Sequence, residues 1–165
     1  MLKKMLFTLT FLGALGTTVA VAAKQSQGPL VSEMMAFVVK TNQQGKEVLK
    51  SSKLAEPGQV IEYQLVYKNT GQKALSGLAV TGPIPGNTSY LGKTASTQIP
   101  SNFLVSIDGG KTYEKTPVTR QVKNNAGKME TVVVAAEKYT HLRWRVSNSL
   151  KAGGKQLYTY RVKVK

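Results

Sequence analysis

Between Ile61 and Lys68 apolar and polar side chains alternate: Ile61, Tyr63, Leu65 and Tyr67 fall on one side, Glu62, Gln64 and Lys68 on the other. A period of two places every second side chain on the same face of an extended chain, so this segment reads as a strand with one buried and one wet face. The same period recurs along the sequence, and Gly, Pro and Asn interrupt it at short intervals. Candidate strands lie at 30–40, 47–50, 61–68, 75–81, 88–91, 103–107, 113–116, 119–123, 129–136, 140–146 and 157–164. The pattern predicts an all-β chain, and an antiparallel β-sandwich of about seven to nine strands fits the spacing better than a closed barrel.

The first 22 residues have a different logic. Lys3 and Lys4 precede an apolar run from Met5 to Leu15, and Ala20-Val21-Ala22 offers small residues at a signal-peptidase spacing. A bilayer span needs roughly 20 apolar residues, and Thr8, Thr10, Gly13, Gly16, Thr17 and Thr18 break this run early. The expectation is a cleaved signal at 1–22, a flexible segment at 23–29, and one domain over 30–165. The product is then exported, periplasmic or secreted, with no transmembrane anchor in the mature form. The chain has no Cys, so neither a lipid anchor, a disulfide framework nor thiolate chemistry is available.

In a second part of the sequence, ordered blocks carry a family resemblance. They are Glu56-Pro57-Gly58-Gln59-Val60-Ile61-Glu62-Tyr63, Tyr67-Lys68-Asn69-Thr70-Gly71, Leu78-Ala79-Val80-Thr81 and Pro83-Ile84-Pro85-Gly86-Asn87-Thr88. Towards the end come Leu142-Arg143-Trp144, Leu150 to Gly153, and Tyr158-Thr159-Tyr160-Arg161-Val162. Together, over about residues 50–165, they resemble the bacterial conserved-repeat domain known as domain of unknown function eleven. The resemblance implies an immunoglobulin-like sandwich of secreted and cell-surface proteins, here in a single copy, and brings no catalytic residues with it. Gly82 stands where the family usually has an acid.

Ser106-Ile107-Asp108-Gly109-Gly110-Lys111-Thr112-Tyr113 resembles the Asp-box hairpin of sialidases, with Tyr113 in place of Trp. Its expected role is structural: Asp108 accepts hydrogen bonds within its own turn, Gly109 and Gly110 take positive φ, and Tyr113 packs below. Catalysis has little to draw on. Asp108 and His141 are alone of their types, and Glu33, Glu47, Glu56, Glu62, Glu114, Glu130 and Glu137 are scattered among lysines. Zinc would lack ligands, and no glycine-rich loop opens a helix. No enzyme, no cofactor and no metal site is expected.

Charge is what remains. Lys and Arg number 23 against eight Asp and Glu, a net charge of +15; loss of Lys3 and Lys4 with the signal leaves +13. Alternation puts Arg143 and Arg145 outward in the penultimate strand, and Arg161, Lys163 and Lys165 outward in the last. If these two strands pair, as the resemblance implies, five cations share one sheet face. That face is the candidate site for an anionic envelope polymer or an acidic envelope protein. Nucleic acid is disfavoured, because export separates the chain from it and no aromatic platform interleaves with the outward cations. The rival expectation is a subunit or accessory of a surface assembly that binds by β-strand addition. Leu30 to Lys40 lacks clean alternation and is read as the domain's own first strand, the alternative being a strand donated to a neighbour.

Overall fold

The strand Val60–Asn69 buries Ile61, Tyr63 and Leu65, as its alternation requires. It belongs to a computed structural model that describes residues 25–26, 28–52 and 54–165; the expected signal at 1–22 lies outside the described residues. In chain order the strands are Gln25–Ser26 (β1), Leu30–Thr41 (β2), Glu47–Ser51 (β3), Val60–Asn69 (β4), Ala79–Pro83 (β5) and Thr88–Tyr90 (β6). Ser101–Ser106 (β7), Thr119–Lys123 (β8), Met129–Val133 (β9), His141–Val146 (β10) and Lys155–Val164 (β11) follow, with a 3-10 turn at Ala136–Lys138. The described residues are thus nearly all-β, with more strands than the seven to nine expected of the sandwich.

Every strand pairing is antiparallel. One sheet runs β1-β2-β4-β11-β6, with β3 also on β2; a second runs β5-β10-β7; β8 and β9 pair only with each other. The first two sheets face each other across one core. Trp144 of β10 meets Tyr158 and Tyr160 of β11 at ring-centroid distances of 5.4 and 6.4 Å, and its cross-strand partner Phe103 at 5.5 Å. Tyr160 in turn stacks on Tyr63 at 5.2 Å. Each such pair contributes about 0.5–1.5 kcal/mol beyond the area it buries.

This core corrects one expectation. The last two strands do not form a hairpin: β10 pairs with β5 and β7, whereas β11 pairs with β4 and β6. Trp144 and Tyr158 meet across the gap between the two sheets. The chain between them crosses over the open end, where Leu150 pairs with Leu75 and the Gly153 N–H donates to the Asn69 carbonyl. Asn69 is fully buried and fully used. Its Nδ2 donates to the carbonyls of Lys73 and Leu150 at 2.7 and 3.0 Å, and its Oδ1 accepts the Gly71 N–H at 3.0 Å.

Other differences are local. Residues 113–116 form no strand, only a bridge between Glu114 and Val105, and the 75–81 strand shortens to β5. β1 pairs with Val31 and Ser32, and the Pro29 carbonyl accepts from Thr70, so these parts of the 23–29 segment are held against the sheet. β2 pairs along β4 within the same chain.

Gly82 has a steric reason to be glycine: a Cβ there would lie 2.6 Å from Cε1 of the buried Tyr160 ring. Gly82→Ala is therefore expected to cost about 1–3 kcal/mol in urea unfolding. Gly86→Ala, where a Cβ meets nothing within 4 Å, should stay within about 0.5 kcal/mol. Burial also pushes the Tyr158 hydroxyl up to about 12 and raises that of Tyr160. A tyrosine pKa raised by folding contributes stability below its unfolded value near 10 and loses it as pH climbs through the folded value. The urea midpoint should fall between pH 10 and 12, and a flat midpoint there would contradict the buried-phenol core.

Candidate functional site

The five cations singled out from the sequence do not meet on one face. Arg143 and Arg145 project from β10 on the side opposite Trp144, hence on the outer face of the β5-β10-β7 sheet. Arg161 and Lys163 project from β11 on the side opposite Tyr160 and Val162, hence on the outer face of the other sheet, and Lys165 follows that strand. The predicted cluster is thus divided between two opposite surfaces, because β10 and β11 belong to different sheets.

Several of these cations are also committed within the chain. The Arg161 Nε donates to Glu62 at 2.9 Å and its Nη1 to Glu47 at 2.8 Å, tying β11 to β4 and to the β2–β3 hairpin with its side chain only 28% exposed. The Arg143 guanidinium carbon sits 3.5 Å from the centroid of the Tyr113 ring, and its Nε donates to Thr81 Oγ1. Lys165 donates to the Gly86 carbonyl. Arg145 and Lys163 are exposed and have no ion pair among the described residues.

Asp108 is spent inside its own turn. Its carboxylate accepts from Thr112 Oγ1 at 2.6 Å, Ser106 Oγ at 2.7 Å and the backbone N–H groups of Thr112 and Lys111. These bonds, Thr112 first and Ser106 next, hold its pKa well below the ordinary carboxylate range. Gly109 and Gly110 both have positive φ, as that turn demands. His141 is half-buried with Nδ1 3.3 Å from Thr140 Oγ1. Among the described residues no group of three His, Asp or Glu side chains is placed to hold a metal, and no helix is long and apolar enough to cross a membrane.

A different feature stands out, and the sequence pattern had assigned it to the sheets. β8 and β9 form a ribbon in which all ten residues are exposed, Met129 by 63% and Val133 by 59%. Its root is firmly held. Val118 is buried in the core, the Val134 N–H donates to the Val118 carbonyl, and Arg120 makes a two-pronged pair with Glu114, whose backbone bridges Val105 of β7. Its tip is a tight turn in which Asn124 Oδ1 accepts from Ala126 and Lys128. The register places Met129 and Val133 on one face, Val122 and Val132 on the other. Neither β8 nor β9 has a second strand partner among the described residues, so each presents an open edge. The signal available in the sequence was this lack of a consistently apolar face.

Comparison with family models, with curated proteins and with solved structures found no match.

The placement of the cations yields an expected outcome. Arg161→Met should lower stability to urea by about 1–2 kcal/mol by leaving Glu62 without its partner. Arg145→Met should change it by less than about 0.5 kcal/mol.

Proposed function

We propose that the chain is a non-catalytic module with an immunoglobulin-like sandwich, exported to the bacterial envelope, periplasmic or secreted, which engages a protein partner by strand addition to the β8–β9 ribbon. The observation that carries this reading is the ribbon itself: rooted in the core at Val118, exposed along all ten residues, and open at both edges. A lone two-stranded ribbon is marginal in water, and exposed Met129 and Val133 keep apolar surface in contact with solvent. A strand added at either edge would pair the outward N–H and C=O groups and cover that surface at once.

The charged pattern at residues 1–22 supports export, and the ordered blocks over about 50–165 support the immunoglobulin-like assignment. Commitment of the single Asp to its turn supports a non-catalytic role. Docking on an anionic envelope component through a basic sheet face has less to rest on. Arg143 and Arg161 are engaged internally and the five residues occupy two faces.

The test is site-specific photo-crosslinking in the exporting cell, with the photoreactive residue placed at 129 or 133 of the ribbon, or at 145 on the outer face of β10. A single adduct of defined mass from 129 and 133, absent from 145, is expected, and Glu at Val122 and Val132, on the other face of the same two strands, should abolish it by excluding the added strand. Because both valines are exposed, those substitutions should alter the unfolding free energy by no more than about 0.5 kcal/mol each. Adducts from 145 without adducts from the ribbon would contradict the reading.

A further inference from the structure

A cleft of about 470 Å³ opens at the root of the ribbon, between the β6–β7 connection, β7 and the 3-10 turn. Its lining includes the stacked rings of Tyr90 and Tyr139, both buried, with centroids 6.1 Å apart, together with Phe103, Pro117 and Val133. The Tyr90 hydroxyl already accepts the Ala95 N–H at 3.2 Å. A mostly apolar concavity of roughly 300–1,000 Å³ with few polar groups is the usual form of a small-ligand site.

The cleft is lined by one cation. No acid lines it, and Lys93, which does, is exposed and has no ion pair among the described residues. Lys93 is also held in an unusual backbone state. Its φ is +65°, the only positive value at a non-glycine residue among those described. It occupies the third position of a turn closed by Thr94 N–H to the Leu91 carbonyl, where glycine or asparagine is ordinarily found. The glycine comes one position earlier, where a Cβ at Gly92 would meet Ala136 at 3.3 Å. A lysine in the left-handed region thus stands beside an apolar cleft whose lining holds no other charge.

We infer that this cleft binds a small amphiphilic anion, with its apolar body against Tyr90, Phe103 and Tyr139 and a single carboxylate or phosphate head against Lys93. The cleft shares Val133 with the docking ribbon, but small-anion binding is read in the free protein without any protein partner, so the two proposals fail separately. Charge complementarity selects this occupant: a neutral apolar molecule gains nothing from the exposed Lys93 ammonium, and a cationic one meets it with like charge.

The test titrates the purified protein with dodecanoate below its micelle concentration, followed by two-dimensional NMR. One saturable site is expected, with shifts centred on Tyr90, Phe103 and Tyr139 and binding at least tenfold tighter than for dodecanol. A parallel titration with dodecyl phosphate ranks the two head groups. Lys93→Gly should weaken dodecanoate binding at least tenfold while raising the thermal midpoint by roughly 2–4 °C, since glycine relieves the positive φ. Lys50→Gln, which removes an exposed charge on β3, should leave the affinity unchanged. Absence of saturable binding, equal affinity for dodecanol, or equal weakening by Lys93→Gly and Lys50→Gln would overturn the proposal.

Discussion

The aromatic layer between the two sheets is the constraint on which the rest of the structure depends. Trp144 and Tyr160 lie in rings of contact with Tyr63, Tyr158 and Phe103, and with no cysteine in the chain this layer does the work that a cross-link between sheets would otherwise do. Trp144 must stand opposite Tyr158 and Tyr160, while Phe103 and Tyr63 flank them within their own sheets. That requirement sends β10 and β11 into different sheets, makes residues 147–154 a crossover, and leaves Gly82 without room for a side chain beside Tyr160. Asn69 then closes the open end by holding both the turn after β4 and the crossover at Leu150.

The same arrangement decides how charge is used. Once β11 is flanked by β4 and β6, Arg161 is opposite Glu62 in the register and meets it as an ion pair rather than adding to a cationic surface. Once β10 is flanked by β5 and β7, Arg143 lies over Tyr113 below the Asp108 turn. The strongly basic composition is therefore partly consumed in fastening strands together. The β8–β9 ribbon is left with all ten of its side chains outside the core.

Much of this was legible in the residues. The β4 faces and the Asp108 turn follow from local rules, because alternation fixes faces and the Ser106-Ile107-Asp108-Gly109-Gly110-Lys111-Thr112 run can satisfy its own hydrogen bonds. What alternation does not encode is which strand lies alongside which. Grouping Arg143 and Arg145 with Arg161, Lys163 and Lys165 assumed that consecutive strands pair, and the facing demand of Trp144 and Tyr158 overrides that assumption. The valine-rich stretch from Met129 read as a long strand of the main sheets. Its neighbours Val132 and Val133 point to opposite faces of a ribbon that has a sheet on neither side, so both remain wet. The cleft beside Lys93 was beyond sequence reasoning, since its lining comes from four separate stretches of chain.

The central claim is that one aromatic core stabilises two facing sheets and carries a ribbon that it does not itself bury. Residue-resolved amide hydrogen exchange of the free protein tests it most directly, because local opening reports the stability of each element separately. Amides of β4, β10 and β11 should exchange only through global unfolding, while those of β8 and β9 exchange through openings of much lower free energy, with protection returning at Val134. A ribbon as protected as β11, or a β10 that opens before the ribbon does, would contradict the account.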